Sequence, residues 1–444
     1  RAFSGQVGYD TRSGVTLEGG WRHRNFYGNG RTFSLNLTAE TGYPENPPSF
    51  LPGFLTRSSS QEVRRRFRAS VTLRQPYLFS NRLSASVAPF VQERLNPALP
   101  PNPDRPLNLN ERQYGLNSTL VFDVLPYRTL SLQHSVSRTR QYLTAATGDS
   151  VRSEAPLTAE DDLFNKSTFT LNGTFGDADD FINPTKGLIV RPTVDLGGFF
   201  FESGVEFARL GADVSGYFPV SEYVELAGRL SLGALWPFGE SRTHLTLPDA
   251  PTDRERRLNR IYQNRFSDYL FFAGGGSDVR GWASQLAGGK VLRQSTTLQQ
   301  DYVYRPLGGR TKISLSLEAR FPLPGLGSNW RTGAFVDGAY VTPGPLTLTP
   351  PATVPTVVTD AQGTPVTSDP SQLLIGTGAG LRYKTPFGFL RIDLAYKLTP
   401  DALDLRRATD VGNAVDTSTP KPVSRVKTRF LRRFRVHFGI GRSF

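Results

Sequence analysis

The sequence predicts an all-β fold: a 16-stranded antiparallel transmembrane β-barrel with long extracellular loops and short periplasmic turns. Three observations predict it. About sixteen segments alternate apolar and polar residues with a period of two, as a strand does when one face meets hydrocarbon and the other meets water. The connections between them run short and long in turn. No stretch of about 18 apolar residues could form a membrane-crossing helix, and no 3.6-residue period is sustained.

The alternating segments lie near residues 2–9, 14–23, 31–41, 63–75, 80–93, 111–124, 128–141, 164–176, 187–198, 204–218, 223–235, 309–321, 329–341, 373–385, 388–398 and 429–444. In the third, "RTFSLNLTAET", Phe33, Leu35, Leu37 and Ala39 share one face, with Thr32, Ser34, Asn36, Thr38 and Glu40 on the other. The twelfth, "RTKISLSLEARF", sets Ile313, Leu315, Leu317, Ala319 and Phe321 against Lys312, Ser314, Ser316, Glu318 and Arg320. In the last, "RFLRRFRVHFGIGRSF", Phe430, Phe434, Val436, Phe438, Ile440 and Phe444 oppose Leu431, Arg433, Arg435, His437, Gly439, Gly441 and Ser443. The arginines of that run therefore form a strand face and are no nucleic-acid tag.

The tight connections read "PYLFS", "LPY", "PVSE" and "PFG". Those at 42–62, 94–110, 142–163, 236–308, 342–372 and 399–428 are long and rich in Pro, Asp, Thr and Ser. In outer-membrane barrels the short turns face the periplasm and the long loops face outward, which places both termini in the periplasm. Trp21, Trp236 and Trp330 fall near strand ends, where an aromatic girdle would put them. A soluble sandwich gives no reason for so many strands with this strict loop order.

Composition narrows the chemistry further. The 444 residues include no Cys, which excludes disulfides, thiolate metal sites and cysteine nucleophiles. His23, His134, His244 and His437 are scattered and lack metal-ligand spacing, so neither a metal nor another cofactor is expected. Acidic pairs such as Asp161–Asp162 and Asp179–Asp180 lie in connections, where carboxylates cap turns. No Ser-His-Asp arrangement is present, and an enzyme is not expected. The net charge of +13 comes without the aromatic-basic interleaving that would point to nucleic acid; lipid headgroups and a positive lumen explain it. The chain opens at Arg1 without an initiator Met, so it reads as a single barrel domain over 1–444 excised from a longer precursor.

Four stretches carry a family resemblance. "FFAGGGSDVRGW" (Phe271 to Trp282) sets a glycine-rich turn, Gly274 and Gly275, before Val279, Arg280, Gly281 and Trp282. "DDFINPTKG" contains Asp180, Pro184, Thr185 and Gly187; "GAFVDGAY" contains Asp337; "GLRYKTPFGFLRIDLAYKL" and "FRVHFGIGRSF" close the chain. In this order they resemble the Omp85 family of outer-membrane assembly proteins. "GGGSDVRG" is no phosphate loop, since neither Gly-Lys-Ser/Thr nor a strand-helix unit accompanies it.

The resemblance implies that the connection at about 236–308, the family's sixth extracellular loop, folds into the lumen and that Arg280 meets acidic groups on the wall. Strand parity nominates Glu318, and the matched strand motif nominates Asp337. It also implies repeated periplasmic domains ahead of the barrel, which are not expected within residues 1–444. Expected partners are unfolded outer-membrane proteins as clients, outer-membrane lipids, and periplasmic or lipoprotein accessory subunits. Gly5 and Gly8 in the first segment, with Gly439, Gly441 and Phe444 in the last, suggest a weak lateral seam through which clients are folded and inserted. The family's two-partner-secretion transporters and a passive porin are the alternatives.

Overall fold

The computed structural model describes the chain apart from residues 11–13, 41–64, 97–106, 146–154, 157–162, 247–261, 295–301, 345–357, 416–418 and 441–444, with short gaps at 182–183, 263–264, 267, 324, 326, 328, 359, 361–363, 365, 370 and 386–387. One antiparallel sheet dominates it, built as a meander in which each full strand pairs with the next.

The strands are β1 (Ala2–Asp10), β2 (Gly14–Arg24), β3 (Thr32–Glu40), β4 (Arg65–Gln75), β5 (Leu83–Asn96), β6 (Leu107–Leu125), β7 (Arg128–Ala145) and β8 (Leu163–Gly176). They continue as β9 (Gly187–Gly197), β10 (Phe207–Pro219), β11 (Glu225–Pro237), β12 (Thr311–Pro322), β13 (Trp330–Thr342), β14 (Leu374–Thr385), β15 (Gly388–Lys397) and β16 (Phe434–Ile440). Counting the two-residue piece Ala155–Pro156 beside β7, the sheet has 17 strands. No helix is long and apolar enough to cross a membrane among the described residues.

Burial inverts the pattern of a soluble protein. Along β12, Ile313, Leu315 and Leu317 are 47%, 46% and 53% exposed, while Ser314, Ser316 and Glu318 on the other face are 4%, 6% and 2% exposed. The apolar row faces out and the polar row is covered, which is how a strand behaves when lipid replaces water outside. β3 exposes Leu35 and Leu37, and β16 exposes Val436 and Phe438, on the parities the sequence assigns.

The last element departs from expectation. Residues 430–433 form a 3-10 turn and strand geometry begins only at Phe434, so β16 starts later than the run from 429 that the alternation suggests, with seven described residues. The Arg432 carbonyl accepts a hydrogen bond from Lys397 Nζ, and Arg432 Nε donates to the Asp404 carbonyl, which diverts this stretch from the ladder. Helical period is also present locally: α1 (Gly239–Thr246) and α2 (Ala408–Val415) sit inside long connections, too short to register as a sustained pattern. Among the described residues β1 pairs with β2 and β16 with β15, and no register joins β1 to β16.

The covered polar face carries the loop between β11 and β12. Its hairpin, Lys290–Gln294 with Tyr302–Pro306, joins α2 and the β13–β14 connection in an apolar cluster that includes Leu286, Leu292, Tyr304, Val366, Leu403 and Val411. This cap sits at the long-loop end of the sheet.

Candidate functional site: the pinned loop

The glycine cluster makes the turn that delivers Arg280. Gly274 has φ +106°, and a Cβ there would lie 2.5 Å from the Ala283 carbonyl oxygen, so only glycine fits. Gly275 N–H donates to the Trp282 carbonyl and Asp278 N–H to the Gly275 carbonyl, closing the turn. Asp278 then ties it to β12, accepting from Lys312 Nζ at 2.9 Å and Ser314 Oγ at 2.9 Å. Val279 is fully buried, and Gly281 lies against the Lys397 stem and Gly376.

Arg280 is 1% exposed and meets both nominated carboxylates. Its Nε and Nη2 donate to Asp337 Oδ2 and Oδ1, each at 2.8 Å, and its backbone N–H adds a third bond to Oδ2 at 3.0 Å. Nη1 donates to Glu318 Oε2 at 2.7 Å. Bidentate geometry of this kind suits the fixed fork of a guanidinium. The group also lies 3.4 Å from the centroid of the Phe335 ring, adding cation–π attraction. Burial works against the charged guanidinium, but the Asp337 and Glu318 carboxylates outweigh it and hold its pKa above the ordinary value.

Sequence reasoning passed over several members of this site. Ser316 donates to Asp337 Oδ1 at 2.6 Å and accepts from Arg280 Nη2, and it shares the parity of Glu318. Glu318 Oε1 is held by Arg320 and Arg382, each at 2.6 Å, and Arg320 continues to Glu225 at 2.8 Å. His437 Nε2 lies 2.5 Å from the Arg280 carbonyl oxygen, so the loop also touches β16. Trp282 Nε1 donates to Asp404 at 2.8 Å, and Asp404 and Asp401 both hold Lys290 Nζ. Burial again opposes the Lys290 ammonium; the Asp404 and Asp401 carboxylates prevail and raise its pKa. The Trp282–Asp404 and Lys290–Asp401 contacts join long connections more than a hundred residues apart, where no periodicity signals them.

A second anchor lies upstream in the same loop. Asp268 receives both Nη groups of Arg94 on β5, at 2.5 and 2.7 Å, and lies 3.8 Å from Lys166 Nζ on β8. Glu111 on β6 completes the group with Arg94 and Lys166, both at 3.0 Å. Around it Arg265 stacks on Phe164 at 4.0 Å, and Phe266 packs edge-on against Phe207. The loop thus crosses the polar face, held by β5–β8 and β10 on one side and by β12–β16 on the other.

The remaining predicted residues are dispersed. In the turn before β9, Asp179 beside Asp180 organises the chain: its Oδ1 accepts from the Thr185 and Lys186 N–H groups and its Oδ2 from the Thr185 hydroxyl. These bonds stabilise the carboxylate, the Thr185 hydroxyl foremost, and hold its pKa well below the ordinary range. Pro184 stands in that turn, and Gly187, at φ +100°, leaves it, with a Cβ there only 2.8 Å from the Asp177 carbonyl oxygen. Gly5 pairs with Gly19, Gly8 with Thr16, and Gly439 with Arg391. Gly441 and Phe444 lie outside the described residues. No cluster of metal-ligating groups occurs among the described residues.

An extended sheet with an apolar outer face, its polar face crossed by a loop pinned through a buried arginine, defines a class of membrane β-proteins plugged by their own chain. The chain belongs to the Omp85 superfamily, whose domain matches residues 25–444. Membership implies an outer-membrane location. In fold it is similar to BamA from Haemophilus ducreyi lacking POTRA domains 1-3, at 18% identity and TM-score 0.59, covering 90% of this chain and 67% of that one. CdiB from Acinetobacter baumannii matches at 12% identity and TM-score 0.45, over 89% of this chain and 55% of that one. CdiB from Escherichia coli matches at 15% and 0.43, over 89% and 58%.

Proposed function

We propose that this chain is the barrel domain of an outer-membrane assembly factor, which folds and inserts β-barrel clients at a lateral seam between β1 and β16. The observation that carries the reading is that, among the described residues, no register joins those two strands, while every other neighbour in the meander is paired. An edge facing hydrocarbon leaves backbone N–H and C=O groups without water, so a client strand that adds to it by β-augmentation gains all its hydrogen bonds at once. No covalent step is needed, and the protein acts without enzymatic chemistry or a cofactor.

Under this reading the sheet closes around a lumen, both termini are periplasmic, and the pinned loop keeps the lumen shut while the seam works. Clients are unfolded outer-membrane proteins, delivered with the help of periplasmic or lipoprotein subunits. The test is the folding rate of an unfolded β-barrel client in liposomes containing the purified protein, compared with Arg280→Ala. Acceleration by the wild type, lost in a variant that remains folded, supports the reading. No acceleration by an intact wild type, combined with polypeptide passage through its lumen, would replace it with a two-partner-secretion type of transport.

A further inference from the structure

The last strand is held by less of the sheet than its neighbours. Among the described residues β16 has one ladder, with β15, running from Tyr396 opposite Phe434 to Leu390 opposite Ile440. A strand laddered on one side opens more easily than one laddered on both. Gly439, opposite Arg391, adds no cross-strand side chain of its own. The outward row of Phe434, Val436 and Phe438 is exposed, and the tie beyond the ladder comes from the inward side.

His437 makes that tie. It stands between Val436 and Phe438 on the opposite parity, and its Nε2 lies 2.5 Å from the Arg280 carbonyl oxygen. A carbonyl oxygen only accepts, so Nε2 carries a proton and donates it to this bond. The carbonyl is aimed by the residue that bears it. The Arg280 N–H donates to Asp337 on β13 at 3.0 Å, and the guanidinium is held by Asp337 and by Glu318 on β12. The glycine turn fits the ring as well: a Cβ at Gly276 would lie 3.4 Å from His437 Cβ and Nδ1, so the loop backbone rests close against the imidazole. The edge strand is thereby joined through the loop to β12 and β13, bypassing β14 and β15.

We propose that His437 is the positioning residue of this edge: it ties β16 to the pinned loop, so the strand keeps its register on β15 while its other side is offered for pairing. The use made of the edge rests on the seam reading given above; the tie itself rests on the geometry of His437, Arg280 and Gly276. A side chain of similar size without a donor nitrogen removes the bond to the Arg280 carbonyl and leaves the strand with its ladder alone.

The test is hydrogen exchange of the purified protein in liposomes without client, comparing the wild type with His437→Leu and His437→Gln. In the Leu variant amides of residues 434–440 should exchange about tenfold faster, while residues 277–282 keep their protection because Asp337 and Glu318 still hold Arg280. The Gln variant, whose amide nitrogen can donate to the same carbonyl, should restore most of the protection. The rate of client folding should fall with Leu and recover with Gln. Unchanged exchange in the Leu variant sinks the proposal, as does loosening spread evenly over every strand, or a loosened β16 that folds clients at the wild-type rate. If His437→Leu does not fold, Gly276→Leu supplies the same comparison by crowding the imidazole from the loop side. A wild type that folds no client, with the exchange pattern as expected, removes the assembly reading and leaves the tie standing.

Discussion

Arg280 concentrates the argument at the scale of single residues. Its guanidinium serves two carboxylates, a serine and an aromatic ring inside a site closed to water. Truncation to Ala leaves Asp337 and Glu318 buried without it, a change that costs about 3–5 kcal/mol for comparable pairs. Arg280→Ala should therefore release the loop, read as rapid protease cleavage near residues 274–285 in a sheet that stays folded. Arg280→Lys should recover little, because an ammonium cannot reproduce the fork. Asp179 gives a titration to check. Its depressed folded-state pKa means that its stabilisation is fully present above about 3.9, the unfolded value, and fades as pH falls through the lower folded one. The Thr185 amide resonance should accordingly hold its position down to about pH 3 and move only below it; a midpoint near 4 would show that the carboxylate is not held.

Among elements, the loop between β11 and β12 has two moorings, and they can be cut separately. Asp268→Asn removes the carboxylate that bridges Arg94 and Lys166. Hydrogen exchange in residues 265–272 should quicken several-fold while residues 277–282 keep their protection; equal loosening of both would show that they form one unit. How much of this was legible follows from the kind of order each part has. Strands declared themselves because period two survives in any single sequence, and parity alone set Glu318 on the covered face. The same rule held Ser316 and Phe335, which differ from their neighbours only in context. Asp268, Asp404 and Lys290 were out of reach: they lie within the long connections, where position is fixed by partners remote in the chain. The 3-10 turn before β16 was hidden for the opposite reason, since its Phe and Arg residues alternate like a strand but hydrogen bonds to the preceding connection bend it away.

For the molecule as a whole, the assembly reading proposed above turns on the two edge strands. The chain has no cysteine, so a disulfide between β1 and β16 can be introduced on a silent background. Cysteines on outward positions, Val7 with Val436 or Phe438, should abolish client folding when oxidised and restore it on reduction. Full activity in the cross-linked form would remove the seam from the mechanism.

The moorings also order events in time. Arg94 and Asp268 are 174 residues apart in sequence, Arg280 and His437 157, and Trp282 and Asp404 122. Contacts of such separation carry a large loop-closure cost and form only once the strands presenting them are in place. During the protein's own biogenesis the sheet must therefore assemble with its polar face still bare, and the loop covers it in a last step. Pulse proteolysis during refolding should find the residues around Arg280 cleavable after strand signals are complete, so the nascent protein passes through a stage whose sheet is folded and whose polar face is open.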